Sequence, residues 1–340
     1  MRIGIDVMGG DHAPHPILEG ALLATAQLES DDVVVLYGDE EIIAPAVGDA
    51  DVGPAEVEIV NTTETITMDE SPVDAVRSKQ DSSLVVMCKE GSRRADNPLD
   101  AIISAGNTGA FVAGSQMYLR RLSGVHRPGI AAAVPTFAGT VAFIDVGANI
   151  EPKPIHIAQY GVMGKVYAKR ILGIKQPRVA LMNVGGEEQK GTNDLKQARE
   201  YLRAIPDLNF VGYIEGRSLF DGGADVVVTD GIVGNVSIKL AEGLATGLLK
   251  KISQDIAESD PKLLEAFKPI LQKFYAEYDY HEYGGAPLLG VNGISLICHG
   301  SSEARTITNA ILRTKQFSVS GVNKHITDQL AMIEEEMSVA

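Results

Sequence analysis

At 340 residues and 45% hydrophobic side chains, the chain can bury a large core, as two domains by length or as one α/β domain. A formal net charge of −15 argues against a nucleic-acid partner. Two cysteines, Cys88 and Cys298, supply neither a disulfide framework nor a Cys-x-x-Cys pair. No apolar run approaches the roughly 20 residues of a membrane span. Met1–Asp6 reads as a strand rather than a signal peptide, so cytoplasm is the expected address.

One pattern recurs along the chain: an apolar run, a short loop rich in Gly, Asn and Asp, then helical spacing. Ile3–Val7 leads into Met8–Pro14 and a helix through Leu18, Leu22 and Leu23. Leu99–Ile103 leads into Ser104–Ala110, Val141–Ile144 into Asp145–Asn149, and Val179–Met182 into Asn183–Thr192. Asp225–Val228 leads into Thr229–Asn235 and a helix with Leu240, Leu244 and Leu248. Ile294–Ile297 leads into Cys298–Glu303 and a helix through Ile307 and Ile311. Further strands are predicted at Val33–Tyr37, Val57–Val60 and Phe210–Ile214. Such βα units predict one α/β catalytic domain over 1–340, a doubly wound, mainly parallel sheet with helices on both faces. An eight-stranded barrel fits the same alternation. In an open parallel sheet the loops after the strands share one edge, so all six are predicted to converge there.

The loop Asn183–Thr192 is the most informative. Gly185, Gly186 and Gly191 permit close backbone approach to a ligand, and Lys190 adds one cation beside a helix start. This suits a phosphate group, although the Gly-x-x-x-x-Gly-Lys-Ser/Thr spacing is absent. Glu187 and Glu188 would repel phosphate unless they orient Lys190 or point away. An ordinary βα turn is the bland reading. The other loops add Asp6, Gly9, Gly10, Asp11, Asn107, Thr108, Asp145, Asn149 and Ser301 as candidate phosphate or acyl contacts. Lys190, Asn183, Asp230, Asn235 and His299 are the candidate catalytic groups. Short polar side chains and backbone amides of this kind position an oxyanion better than they build a nucleophile.

Charge is uneven. Residues 101–186 carry about +7 and the remainder about −22. A basic middle suits an anionic substrate or an acidic protein, unless these side chains are solvated helix faces that never meet. Two stretches interrupt the repeat. Met68–Ser83 offers Asp69 and Ser71 as caps, Pro72 at a first helical position, and Arg77 and Lys79 beyond. Pro261–Tyr283 has an amphipathic pattern that Pro269 should kink or split. Leu264, Phe267, Leu271 and Phe274 on its apolar side are predicted membrane contacts, with core or dimer packing as the alternative. The helical excursion is placed at 240–285.

Several chemistries find no support. Cys88 sits in an apolar run and reads as core, and no Gly-x-Ser-x-Gly elbow follows a strand. His12 and His15 lack a third ligand at metal spacing, so no metal is expected. The Gly-x-Gly-x-x-Gly fingerprint is missing after the first strand, and no cofactor is predicted.

Asp6–Asp11, Ser104–Ala110, Asp145–Asn149, Asn183–Gly191 and Tyr283–Gly290 together resemble the bacterial phosphate acyltransferases of phospholipid synthesis, the acyl-carrier-protein:phosphate transacylases. Ile232 stands where that family often has Phe. The resemblance implies reversible formation of acyl phosphate from long-chain acyl carrier protein and inorganic phosphate. It implies a fold akin to phosphate acetyltransferases and the isocitrate/isopropylmalate dehydrogenase group. It also implies a homodimer, peripheral attachment to the inner face of the cell membrane, and delivery of the product to a membrane glycerol-3-phosphate acyltransferase. A short-chain enzyme using acyl coenzyme A is the runner-up, and a non-catalytic membrane scaffold is a third reading.

Overall fold

A computed structural model describes residues 1–278 and 284–339, without the side chains of 275–278 and 334–339. Tyr283 of the last motif, and residues 279–283 of the amphipathic stretch, lie outside the described residues. The elements in order are β1 (Arg2–Asp6), α1 (His15–Thr25), β2 (Val33–Gly38), α2 (Glu40–Gly48), β3 (Glu56–Asn61), α3 (Pro72–Ser78), α4 (Ser83–Glu90), β4 (Ala101–Ser104), α5 (Thr108–Gly114), β5 (Gly129–Thr136) and β6 (Gly139–Ile144). There follow α6 (Pro154–Arg170), β7 (Val179–Met182), α7 (Asn193–Ala204), β8 (Phe210–Ile214), β9 (Val226–Val228), α8 (Gly231–Ser259), α9 (Pro261–Tyr278), β10 (Ala286–Leu289), β11 (Ile294–Ile297), α10 (Ala304–Ser320) and α11 (Val322–Val339).

All strands join one 11-stranded sheet in the order β3-β2-β1-β4-β11-β10-β5-β6-β9-β7-β8. The sheet is open, with β3 and β8 at its edges, so the barrel is excluded. Neighbours are parallel except at β11–β10, β10–β5 and β5–β6. Three reversals are an odd number. The half β3-β2-β1-β4-β11 therefore runs opposite to the half β6-β9-β7-β8. Loops at the carboxyl ends of the two halves thus leave in opposite directions, but the register sets the ends of β11 and β6 at one level of the sheet, with only β10 and β5 between them. The two strands that cause this, β5 and β10, escape a pattern reading. One is alanine-rich and carries Pro135; the other is four residues long and carries Pro287.

Side chains that alternate across the strands feed separate cores. Ile3, Ile5, Leu36, Ile103 and Leu296 pack with α1, α6, α10 and α11. Val35, Tyr37 and Ile102 pack on the other face with α4 and α5. Side-chain caps define several helix starts. Ser82 Oγ accepts from Val85 N in α4, Asn107 from Ala110 N in α5, and Thr192 from Leu195 N in α7. Pro72 opens α3 after Ser71, as its sequence predicts.

The long arm departs most from expectation. Helix α8 has 29 residues, about 43 Å at 1.5 Å per residue. Only Gly231 and Gly234 along it are buried. Its apolar residues Ile232, Val236, Leu240, Leu244, Leu248 and Ile252 are all exposed at four-residue intervals. Among the described residues it is the one helix long and apolar enough to cross a membrane by length and composition, despite Lys239 and Glu242. The helix starts at Gly231, and its first turns pack on the body through Gly231, Gly234 and Ile238. Helix α9 packs against α8 and runs unbroken through Pro269. The carbonyl that proline leaves unbonded belongs to exposed Glu265, where water can satisfy it. Of the four predicted membrane contacts, Phe274 is exposed, Leu264 and Phe267 are half-buried, and Leu271 is buried. Leu271 packs inside the protein because it falls on the inward turn of α9; the outward face is Leu263, Ile270 and Phe274.

Candidate active site

The loop residues gather in two clusters.

The first cluster lies after β1, β4 and β11. Asp6, 2% exposed, accepts the Ser83 hydroxyl on Oδ1 and the Ser104 hydroxyl on Oδ2, both at 2.6 Å. Burial pushes its carboxyl above the ordinary range, against the pull of Ser104 and Ser83. A side chain on Gly9 would strike Asp6 and the amide of Gly106, so glycine is required for this close approach. Asp11 N donates to Gly300 O at 2.7 Å, which ties the first and last loops together. Asn107 turns its amide to Thr67, Met68 and Glu70 carbonyls and its oxygen to Ala110 N. It holds a loop and caps α5, beside Thr108 at the helix start. His299 Nδ1 lies 2.7 Å from Ser301 Oγ and accepts from Ser301 N. Lys79 Nζ is held by Glu70 and Thr65, within the fold.

The second cluster lies after β6, β7 and β9. Asp145 is fully buried and accepts from the amides of Ile130, Gly147, Ala148 and Asn149, and from Asn149 Nδ2. Burial raises its pKa, opposed by those amides. It shapes a loop and is not open to a ligand. Asn149 Nδ2 also donates to Pro128 O, and Asn149 O accepts from Gly231 N at the start of α8. Asp230 caps α8 through Val233 N at 2.8 Å. Asn235, one turn on, lies beside Gly147. Both therefore stand at the positive end of a long helix.

Lys190 is an accessible cation here, with 47% of its side chain exposed. Its stem covers Gly185, where any side chain would collide with it. Asn183, 7% exposed, donates to Gly185 O and Lys190 O and pins the loop from within. Its Oδ1 has no hydrogen-bond partner, and a side chain on Gly191 would come within 2.5 Å of it. Gly186 has open space around it. The two glutamates divide the roles foreseen for them. Glu187 pairs with Lys190 Nζ at 2.8 Å and raises the lysine pKa, while Glu188 turns to Arg203 and Arg199 on α7.

Asp230, Asn235, Asn183 and Lys190 thus share an edge of the sheet, with Gly185, Gly186, Gly191, Asp145 and Asn149. Asp6, Gly9, Gly10, Asp11, Asn107, Thr108, Ser301 and His299 follow the strands of the other half. His299 follows β11, which runs against β6, β7 and β9, the strands that carry the remaining catalytic candidates. Arg217 was missed: its charge and that of Glu215 reach Lys190 across the loop after β8. The signal was available, since Phe210–Ile214 is followed directly by Glu-Gly-Arg. Part of the basic middle does assemble. Arg121, His126, Arg127 and Lys153 surround His156, whose pKa is lowered by burial and then by these charges. Pro128 links this patch to Asn149. Lys165, Arg170 and Arg178 lie elsewhere, engaged with Asp207 O, His325 and Asp225.

Residues 1–325 match the family model for a fatty acid synthesis protein. A phosphate acyltransferase of Desulforamulus reducens is 44% identical over 97% of this chain and 97% of its own. One from Desulfitobacterium hafniense strain DCB-2 is 46% identical over 97% and 98%. The chain belongs to the phosphate acyltransferase family. Its backbone is similar to a phosphotransacetylase from Streptococcus pyogenes, with TM-score 0.58 and 16% identity over 96% of this chain and 94% of that one. A branched-chain phosphotransacylase from Enterococcus faecalis gives TM-score 0.54 at 13% identity, over 93% and 98%. These distant structures share the fold. As a phosphate acyltransferase the enzyme catalyses acyl transfer involving phosphate, in fatty acid and lipid synthesis. In this phosphate acyltransferase the thiols offer no nucleophile. Both are buried, with Cys298 pushed up to about 12 and Cys88 also raised by burial.

Proposed function

We propose that the enzyme makes acyl phosphate reversibly from long-chain acyl carrier protein and inorganic phosphate, at the second loop cluster and without an acyl-enzyme. The observation that carries this reading is Lys190 laid over Gly185 in an accessible loop beside the α8 start. Phosphate near pH 7 is largely ionised, its second pKa being about 6–7 by analogy with phosphoserine. It needs a site more than a base. Glu187 holds Lys190 through an exposed pair, which an arriving dianion can displace. Asn235, with the positive end of α8 behind it, then faces the charge that develops on the thioester oxygen. A thiolate leaves readily, since a thiol pKa is about 8.5. Asp230 and Asn183 are positioning residues, one fixing the helix start and the other the loop.

The patch around His156 borders this cluster and suits an acidic carrier protein. The outward residues of α9 suit a lipid surface, and the apolar stripe on α8 suits a second copy of the chain. A cytoplasmic homodimer at the inner face of the membrane would release its greasy product near a glycerol-3-phosphate acyltransferase. Acyl-phosphate formation from acyl carrier protein and from acyl coenzyme A tests the donor. Preference for the carrier, lost in Arg127→Glu/Lys153→Glu, is expected; equal use of both thioesters in the parent enzyme would reject it. For the membrane, Ile270→Glu/Phe274→Glu should abolish liposome co-sedimentation with turnover of a soluble substrate intact. Unchanged sedimentation would remove α9 from the lipid contact.

A further inference from the structure

The loops of the second cluster also carry apolar side chains for which phosphate has no use. Val184 follows Asn183, Ile150 follows Asn149 and Ile232 follows Gly231, and all three are exposed. Their segments are held together. Gly231 N donates to Asn149 O at 2.8 Å, and Ser237 Oγ on α8 lies 4.0 Å from Met182 Sδ at the end of β7. Over its first turns α8 rests on the body through Gly231, Gly234 and Ile238. Ile232, Val236 and Leu240 point away from that face, each at least half exposed. Set four residues apart, they form one row along the helix. Asn235 stands one turn from Ile232, so a polar group and an apolar row lie side by side on α8. A contiguous exposed apolar patch marks a contact with a ligand or a partner.

We propose that the alkyl chain of the acyl donor lies along the row Ile232, Val236 and Leu240, with Ile150 and Val184 near its first carbons; this rests on the reading that acyl transfer takes place at Lys190 and Asn235. A thioester whose carbonyl faces Asn235 must send its chain away from Lys190 and Glu187, whose charges keep water around them. The row starts one turn from Asn235 and offers apolar surface in its place. From Ile232 to Leu240 it covers about 12 Å at 1.5 Å per residue, a length that a long chain spans and a butyryl chain does not. Each methylene taken out of water there is worth up to about fourfold in binding, so the row selects for long chains. Leu244, Leu248 and Ile252, farther out, remain for the second copy.

Acyl-phosphate formation by the full chain from butyryl and palmitoyl carrier protein tests this through the ratio of their kcat/KM values. The parent should favour palmitoyl by about tenfold or more. Val236→Gln/Leu240→Gln should lower that ratio about tenfold, by raising KM for palmitoyl. Leu23→Gln, at an exposed apolar position on α1, should keep the parent ratio. A palmitoyl chain that ends in a diazirine should label α8 on irradiation and leave Phe137, exposed at the β5–β6 turn, unlabelled. A parent ratio near one, a ratio unchanged in the double variant, or label outside α8 would overturn the proposal. So would a double variant that becomes monomeric and loses both substrates equally, because the row then belongs to the second copy. If the double variant unfolds, the label on the parent decides alone. The reading beneath it fails separately, through a Lys190→Ala variant that turns over butyryl carrier protein at the parent rate.

Discussion

The loops after β1, β4 and β11 and the loops after β6, β7 and β9 are built from the same residue types and end in different states. In the first cluster Asp6, Ser83, Ser104 and Asn107 satisfy one another and nearby carbonyls. In the second, Asp145, Asn149 and Asn183 take up loop amides and carbonyls, while Lys190 stays half-exposed. A buried carboxylate with all its lone pairs filled shapes a loop and cannot receive a substrate. A half-exposed lysine over a glycine can. Residue type therefore does not separate the two clusters; the exposure of Lys190 does.

The largest expected effect breaks the comparison outright. Lys190→Ala should lower acyl-phosphate formation by about 10²-fold or more, the scale for losing one strong electrostatic stabiliser. His299→Ala, in the first cluster, should cost less than about tenfold. Steady-state rates of the two folded variants measure this, and the reverse ranking would exchange the roles of the clusters.

Stability should rank them oppositely. Asp6→Ala strands two buried serine hydroxyls and should destabilise by about 2–4 kcal/mol in urea unfolding. Lys190→Ala should leave stability near the parent value. The pH dependence carries a sign. The folded carboxyl of Asp6 binds its proton more tightly than the unfolded one, at about 3.9. Its contribution to stability is therefore lost as pH rises from that value through the folded pKa. Asp6→Asn should flatten this fall, leaving the part due to Asp145, which is shifted the same way. An unchanged slope would show that Asp6 titrates normally.

Most strands and the loops after them are legible in the sequence, because β-branched runs such as Val33–Tyr37 admit few other readings. Lys190 stands out for the same local reason, as one cation among glycines. The direction of the strands is not legible. It depends on β5 and β10, where alanine and proline dilute the pattern, and a single missed reversal turns the loop of His299 the other way. The exposure of the arm is not legible for another reason. Leu240, Leu244 and Leu248 have core-like spacing and are exposed, because what covers an apolar stripe is not encoded in its period.

Smaller effects sharpen the picture. Acidic side chains approaching His156 would favour its charged form and raise its lowered pKa. Carrier binding should then take up a proton and tighten as pH falls through the bound-state value, by about a few-fold per unit. His156→Gln should remove that dependence in a binding titration, and a persistent slope would assign it elsewhere. The smallest effect is expected from Cys88→Ala/Cys298→Ala, which should keep turnover within about threefold. Acyl groups trapped on either sulfur would contradict direct attack by phosphate.

A crystal structure of the enzyme soaked with inorganic phosphate tests the central claim most directly. The account predicts phosphate at Gly185–Gly191, within hydrogen-bond reach of Lys190 Nζ and close to Asn235, with Glu187 displaced. Phosphate lodged instead beside Asp11, Gly300 and His299, with the Lys190–Glu187 pair intact, would contradict it.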